Sequence, residues 1–506
     1  MAESEPSSEE RVDASPNETP DTASEKHDLA RIESTKPAFS LPHEIAFVAL
    51  MCSAQLMTQA GLGQVIAPLH FIGDSFGITN PGVLSWSAAA YSLTVGTFIL
   101  IAGRLGDMYG HRPIFILGWL WFGLWSLFAG VSVYSNETLF FFCRALQGIG
   151  PAFLLPSSLA IMGSVYPAGK RKNMVFSLFG AVAPTGFLIG AIFASLFAQL
   201  AWWPWAFWSF AIACCVLSVL SYLIIPPNPD RKQDKDQTTF DYIGALTGIA
   251  SLVLINFAWN QGPTVGWTSP YVYSLLIVGF LVGGVFVFTE RRVARPLVPL
   301  SAFSGNTLFV LSCIAAGWSS FGIWVYYVWQ LQEVLRGDSP LLATAHIIPT
   351  SFSGVIAAIT TGFLMGRIRT AWIMLIAMLA FCIGAILVAT VPVHQVYWAQ
   401  FFVSFIVTPW GMDMSFPAAT VLLSNSVPKE HQGIAASLVS TIVNYSISIG
   451  LGIAGTVDSQ VNKGGQDVLA GYRGAQYTEI GLSGLGVLIA SVFLIKTYVR
   501  PEVGNP

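Results

Sequence analysis

Three charged side chains lie close together in GRLGDMYGHRP, residues 103–113, which joins two long apolar runs. They are Arg104, Asp107 and Arg112. The Asp107 carboxylate could pair with Arg112 or lie at the positive N-terminus of another helix. The plainer alternative is that Asp107 and Arg112 only cap helix ends. Three glycines in the stretch permit close helix approach and a tight turn, and they are Gly103, Gly106 and Gly110.

Other polar groups that could do chemistry lie inside the apolar runs. Arg144 is a functional candidate by default, because a charge at membrane depth is costly unless it is paired or hydrated; the alternative is snorkelling from a helix end. Asp413 is the best candidate for protonation, with packing against the backbone or a place near the outer end as the alternative. Gln55 and Gln59, at helical spacing with Cys52 and Gly63, form a stripe that can face an aqueous cavity. The weaker candidates, which otherwise pack helices or anchor them at the interface, are Trp329, Gln330, Glu333 and Asn444.

The composition predicts that these residues belong to a membrane protein. Of the 506 residues 54% are hydrophobic and 10% are charged, with a mean hydropathy of +0.63, whereas soluble domains carry about 25% charged residues. Residues 1–40 are acidic, rich in Ser and Pro and nearly free of aromatics, which predicts a disordered tail. No cleavable signal sequence precedes the first apolar run, so that run is expected to act as the insertion signal.

Fourteen apolar segments are long enough to cross about 30 Å of hydrocarbon as helices. The fold class is therefore an all-α polytopic membrane protein. The predicted spans are 45–70, 82–102, 113–133, 138–162, 174–199, 205–225, 242–260, 271–289, 307–330, 341–365, 371–391, 396–422, 434–457 and 480–498.

Lysine and arginine indicate the orientation, since they accumulate in cytoplasmic loops. With the tail in the cytoplasm, only Arg336, Lys463 and Arg473 fall on the outer side. Both termini are therefore predicted to be cytoplasmic. Asn136, in Asn-Glu-Thr, then lies in a short outer loop and is a predicted N-glycosylation site.

Several function classes lose support. The six cysteines lie inside apolar runs and the seven histidines form no metal-binding pattern, so no metal or other cofactor is expected. No phosphate-binding loop is present, which argues against ATP as a partner, and the net charge of -3 gives no indication of nucleic acid. The sequence contains no cluster of nucleophilic or basic side chains that would indicate an enzyme.

Two motifs resemble those of the major facilitator superfamily. Residues 103–113 are similar to the loop between its second and third helices, and Arg144-Ala-Leu-Gln147-Gly148-Ile-Gly matches its R-x-x-Q-G-x-G motif. The resemblance implies two six-helix bundles that alternate between states, with a cytoplasmic latch at Asp107 flanked by Arg104 and Arg112. It also implies that Arg144, Gln147 and Gly148 form a buried charge motif.

The span count resembles the fourteen-helix drug:proton antiporter branch, which has two extra helices. Residues 362–369 echo the 103–107 pattern weakly, as a repeat between two halves would. The implied domains are a tail (1–40), an N-terminal six-helix bundle (41–225), a charged cytoplasmic linker (226–240), two additional helices (241–290), a C-terminal six-helix bundle (291–500) and a cytoplasmic C-terminal tail (501–506).

Two family features are altered. Gln59 stands where exporters of this branch commonly carry an Asp in the first helix, so that coupling acid is missing. The antiporter signature of the fifth helix keeps Pro184, Gly186 and Gly190 but loses a double glycine. Proton antiport is thus implied by kinship alone.

The stretches QLMTQAGLGQVIAPLH and PWGMDMSFPAATVLLSNSVPKEHQGIAASLV resemble a fungal subgroup of aminotriazole-resistance and boron exporters and low-affinity ammonium carriers. The predicted function is secondary transport by alternating access. We expect proton-coupled efflux of a small toxic compound or fungal secondary metabolite at the plasma membrane, with the vacuolar membrane as an alternative location. The alternative function is low-affinity facilitation of a small polar solute such as ammonium or boric acid. The predicted partners are the solute, protons and membrane lipid; a nutrient receptor on the same fold would be expected to carry a longer cytoplasmic domain.

Overall fold

A computed structural model describes residues 40–78, 81–166, 170–226, 241–293, 297, 305–365, 367–426 and 432–499. The predicted C-terminal tail 501–506, and nearly all of the predicted tail 1–40 and linker 226–240, lie outside these residues. The described residues from Ala46 onward form one compact unit.

Each predicted span corresponds to a helix. The helices are α1 (Leu41–Ile66), α2 (Trp86–Tyr109), α3 (His111–Val131), α4 (Glu137–Val165), α5 (Lys170–Leu200), α6 (Pro204–Ile224), α7 (Tyr242–Val265), α8 (Pro270–Glu290), α9 (Gly305–Gln330), α10 (Pro340–Leu364), α11 (Thr370–Thr390), α12 (Gln400–Ser426), α13 (Gln432–Val461) and α14 (Val468–Val499).

Thirteen helices in the described part of the chain are long and apolar enough to cross a membrane. The remaining one, α12, has 27 residues and therefore sufficient length. Its hydropathy is lower because it carries Asp413 and the prolines Pro409 and Pro417. The fold class is confirmed, but the predicted start of the last span is wrong, since α14 begins at Val468 and not at 480.

Local chemistry sets several helix ends. The Asn136 side chain accepts a hydrogen bond from the Leu139 amide at 2.8 Å and caps α4. Asp241 accepts from the Gly244 amide at 2.8 Å and caps α7. Between α2 and α3 the chain turns at Gly110, whose φ of 101° is in the region that favours glycine.

The two six-helix halves are α1–α6 and α9–α14, and they meet along two pairs of helices. One is α2 against α13, which we call the α2–α13 seam, and the other is α5 against α10, the α5–α10 seam. The additional helices α7 and α8 pack against each other, and α7 also contacts both α2 and α13.

Polar groups fasten α7 at the α2–α13 seam. The Ser448 hydroxyl of α13 lies 2.7 Å from Asn256 Oδ1 of α7 and 3.2 Å from the Ala89 carbonyl of α2. Asn260 Nδ2 donates to Ser448 Oγ at 3.2 Å. All three side chains are buried, so the extra helix is bonded to the C-terminal half at a residue that also reaches the N-terminal half.

Glycine permits α1 and α5 to touch backbone to backbone. A methyl group on Gly186 would overlap the carbonyl oxygen of Leu56, and one on Gly190 would overlap that of Ala60. In the opposite direction, a methyl group on Gly63 would overlap the carbonyl oxygen of Phe187. Side chains larger than hydrogen would push these helices apart.

We expect Gly190→Ala to destabilise the protein by about 1–3 kcal/mol, the usual cost of overpacking. Gly180→Ala is the matched control, because it adds the same methyl to the same helix where nothing lies within 4 Å. Thermal unfolding of the two purified variants in detergent measures the difference. Equal midpoints would contradict the close α1–α5 contact.

Candidate functional site

The charged segment 103–112 comprises the end of α2, the turn at Gly110 and the start of α3, next to the α2–α13 seam. The Asp107 Oδ1 and His111 Nε2 atoms are 3.1 Å apart. Arg112 donates to the Tyr222 carbonyl at the end of α6 at 2.7 Å, and its guanidinium lies 5.2 Å from the Tyr222 ring centre. The segment is therefore held by one internal contact and by α6 of its own half.

The loop glycines have different roles. A methyl group on Gly106 would overlap the His111 ring, so glycine leaves room for the contact between Asp107 and His111. Gly103 lies where an added methyl would be 3.6 Å from Ser437 Oγ of α13, in the other half. The stretch thus combines a local turn with a position at the seam, while its role as a latch stays a prediction.

Arg144 lies fully buried in the N-terminal half. Its Nε donates to the Ser87 carbonyl of α2 at 3.0 Å, and its Nη2 donates to the Gly61 carbonyl of α1 at 2.9 Å. Nη1 donates to Gln147 Oε1, and the guanidinium lies 4.6 Å from the Tyr91 ring centre. A cation that carbonyl oxygens and an aromatic face surround is stabilised without a carboxylate.

The other residues of the 144–150 motif allow α4 to pack closely enough for Arg144 to make these contacts. Gln147 Nε2 donates to Ser126 Oγ of α3 at 2.6 Å. A methyl on Gly148 would overlap Thr94 Oγ1, and one on Gly150 would lie 2.6 Å from Phe122 Cβ. The two glycines let α4 approach α2 and α3 closely enough for Arg144 to reach across to α1.

Asp413 lies halfway along α12 and is the acid nearest the α5–α10 seam for which contacts are described. A methyl on Gly354 of α10 would lie 2.5 Å from Asp413 Oδ2 and 2.8 Å from Pro184 Cγ of α5. The carboxylate therefore packs on the Gly354 backbone with Pro184 of the other half beside it. Its Oδ2 is buried and has no hydrogen-bond partner among the described residues.

Contacts across the α5–α10 seam continue from Gly354 toward the N-terminal end of α10. Ser351 Oγ donates to the Pro184 carbonyl at 3.2 Å. Farther along, Ser195 Oγ lies 2.9 Å from Thr344 Oγ1 and 3.2 Å from the Pro340 carbonyl. The predicted residues of α5 therefore lie on two faces of that helix. Pro184 contacts α10, whereas Gly186 and Gly190 contact α1.

The other predicted binding residues do not form one cluster in the described contacts. On α1, Gln55 and Gln59 are half-buried, but Gly63 of the same predicted stripe packs on α5. Asn444 Nδ2 bonds the Ser440 carbonyl of its own helix at 2.9 Å. The predicted binding residues therefore lie in separate places on α1, α12 and α13.

Trp329 and Gln330 end α9 and are both fully buried. Gln330 Oε1 accepts a hydrogen bond from Tyr472 OH of α14 at 3.4 Å. The Trp329 Nε1 and Gln330 Nε2 atoms have no partner among the described residues. Both side chains are thus buried inside the protein and not at its surface. Gln330 also lies beside His70, which belongs to the N-terminal half.

Sequence analysis missed a buried acid on α14. Glu479 is 1% exposed, yet it lies one residue before the predicted last span, 480–498. The 3-4 spacing of Gln476, Glu479 and Ser483 was the signal that could have extended the helix toward Val468.

Comparison with known proteins gives one family. The profile described as Major Facilitator Superfamily matches residues 49–345 and 307–506. The chain is 60% identical over 475 residues to a protein named low affinity ammonium transporter from Saccharomyces cerevisiae, over 93% of this chain and 92% of that protein. It is 47% identical over 463 residues to efflux pump terJ from Aspergillus terreus, over 91% and 89% of the two chains.

A more distant relative is the aminotriazole resistance protein of Saccharomyces cerevisiae, 37% identical over 463 residues, 90% of this chain and 85% of that one. Among solved structures, a POT family transporter in complex with 5-aminolevulinic acid has a TM-score of 0.63 at 14% identity, over 90% of this chain and 96% of that one. The sequence relatives confirm the predicted family and subgroup, and the structural match supports the fold.

We expect Arg144→Lys to lower stability by at least about 2 kcal/mol, because one ammonium nitrogen cannot reach all the acceptors that three guanidinium nitrogens serve, and each charged hydrogen bond that is lost costs roughly that much. Thermal unfolding in detergent measures the shift. Arg112→Lys is the control, since Arg112 makes its hydrogen bond to a single carbonyl at the surface. If both variants melt alike, the three separate bonds of Arg144 contribute nothing.

Proposed function

We propose that this chain, which belongs to the Major Facilitator Superfamily, is a secondary transporter that couples proton movement at Asp413 to export of a small toxic compound or fungal secondary metabolite. Transport rather than catalysis is the proposed activity. The named relatives include efflux pumps, which supports export.

The observation that carries the proposal is the position of the Asp413 carboxylate. Its Oδ2 oxygen is buried in the middle of α12 and lacks a partner among the described residues, although the residue as a whole is half-buried. Pro184 of the opposite half lies against the same glycine. Burying an ionised carboxylate without a partner is very costly. We therefore infer that Asp413 is neutral while the seam is closed, which requires a bound proton.

Motion at the α5–α10 seam would change this environment. Alternating access moves one half against the other, and separation of Pro184 from Gly354 would admit water to Asp413. A hydrated carboxylate ionises readily, so the same motion that exposes the substrate would release the proton. The coupling acid would then lie on α12 and replace the first-helix acid whose position Gln59 occupies.

We propose that the loop with Asp107, Arg104 and Arg112 acts as the latch of the α2–α13 seam, and that Arg144 keeps α1, α2 and α4 together during the motion. The distribution of Lys and Arg supports cytoplasmic termini. A plasma-membrane location is proposed on the subgroup resemblance, with the vacuolar membrane as the alternative. Asn136 stays a predicted glycosylation site.

A second candidate function is low-affinity ammonium transport. It is favoured by the 60% identity to the protein of that name. The glutamines Gln55 and Gln59 suit a small polar solute, because amides bind such solutes without fixing a charge in the cavity.

The test is flux into inside-out vesicles with and without an imposed proton gradient, using ammonium, boric acid and aminotriazole as probes. In the wild type we expect gradient-driven accumulation of at least one probe, which Asp413→Asn reduces to the level of empty vesicles. Asp74→Asn, an exposed acid of the same type, is the control and should transport normally.

Ammonium flux that needs no gradient and is unchanged in Asp413→Asn would favour the second candidate. Gradient-driven aminotriazole uptake that survives Asp413→Asn would remove Asp413 from the coupling step while keeping export.

A further inference from the structure

The helix α14 carries a polar stripe on its buried face. Tyr472, Gln476, Glu479 and Ser483 follow one another at helical spacing, and each is at most 2% exposed. The exposed face of the same helix carries apolar residues such as Leu485 and Leu488. A polar stripe that faces the inside of a helical bundle is expensive to bury and is usually functional.

The centre of the stripe is a carboxyl group without a counter-charge. Glu479 Oε2 is buried and has no hydrogen-bond partner in the described part of the chain. The charged or titratable groups on the helices around it are engaged elsewhere. On α13, Asp458 accepts from Tyr327 OH of α9 at 3.1 Å, and α11 contains no acid or base between Thr370 and Thr390.

The nearest cation on α14 is also occupied. Arg473 Nη1 donates to the Val388 and Ala389 carbonyls at 2.8 and 2.6 Å and so binds the end of α11. It also donates to Gln476 Oε1 at 3.0 Å. This bond fixes the amide with its oxygen toward Arg473. Gln476 Nε2, on the same helix face as Glu479, is left without a partner among the described residues.

The polar stripe of α14 packs against α9. Tyr472 OH donates to Gln330 Oε1 at 3.4 Å, and Cys313 Sγ lies 4.0 Å from the Gly486 carbonyl. These contacts fix α9 and α14 in antiparallel register, so Glu479 lies level with the part of α9 that begins at Ser320. The Ser320 hydroxyl is buried and is also unpartnered in the described structure.

We propose that Glu479 is a second proton-binding site, separate from Asp413, with Gln476 and Ser320 as its polar neighbours. A hydronium ion donates a proton to the Glu479 carboxylate, which gives the neutral acid and a water molecule, and the reverse step returns the proton to water. The site rests on the proposed function and deepens it, because it gives the carrier a second group that can hold a proton. Asp413 lies on α12 and packs against α10, whereas Glu479 lies on α14, so the two carboxyl groups have different neighbours.

The experiment counts protons on the purified full-length protein, with protons as the only probe. A pH indicator in weakly buffered detergent records the protons released per molecule between about pH 5 and pH 9. We expect Glu479→Gln and Asp413→Asn each to release one proton fewer than the wild type, and the double variant to release two fewer. Glu137→Gln, in the first turn of α4, is the matched control, because it removes the same carboxyl group at a position outside the polar stripe.

A second readout is the infrared band of a protonated carboxylic acid, which should weaken in Glu479→Gln and disappear with rising pH in the wild type. If Glu479→Gln does not fold, Gln476→Leu keeps the carboxyl but removes its neighbouring amide, and the infrared band should then titrate at a different pH.

The outcomes separate this inference from the proposed function. An unchanged proton count in Glu479→Gln would overturn the second site, as would an infrared band in the wild type that never titrates. A lower count in Glu479→Gln but not in Asp413→Asn would overturn the role of Asp413 and leave the second site standing.

Discussion

The guanidinium of Arg144 is the interaction on which the N-terminal half depends. It hydrogen-bonds backbone carbonyls of α1 and α2 and the side chain of Gln147, within α4. Hydrocarbon offers no partner for a buried cation, so these bonds must be made inside the protein. They can form only if the helices approach closely, and that explains glycine at positions 148 and 150. In this motif the small residues allow the helices to pack closely enough to hydrogen-bond the charged side chain.

Arg144 and two acids of the C-terminal half differ in how their buried atoms are bonded. In the N-terminal half the cation has all three nitrogens bonded. In the C-terminal half, Asp413 and Glu479 each keep a buried oxygen without a partner among the described residues. A fully bonded charge resists movement, whereas a carboxyl group with an unpaired oxygen can gain or lose a proton when its surroundings change. The coupling that we propose at Asp413 and Glu479 depends on this difference.

The additional helices bear on how the halves can move. Because Ser448 contacts both Asn256 of α7 and the Ala89 carbonyl of α2, movement at the α2–α13 seam must also disturb α7. The α5–α10 seam has no such helix attached in the described contacts. A single hydroxyl proton serves both acceptors of Ser448, so the hydrogen bond can transfer from one to the other without leaving a donor unused.

The sequence by itself determined the helical membrane class, the positions of the fourteen helices and the family, because apolar length and the two motifs are local properties. It also identified Arg144 and Asp413 as exceptional, since charge inside an apolar run can be seen without coordinates. Only the tertiary structure decided their partners. Arg112 meets Tyr222, 110 residues away, Pro184 and Asp413 come to the same glycine, and Gly63 turns to α5 instead of lining the Gln55 stripe. Glu479 was missed because hydropathy fades over the polar first turns of α14, while the burial of those turns depends on α9, α11 and α13 packed around them.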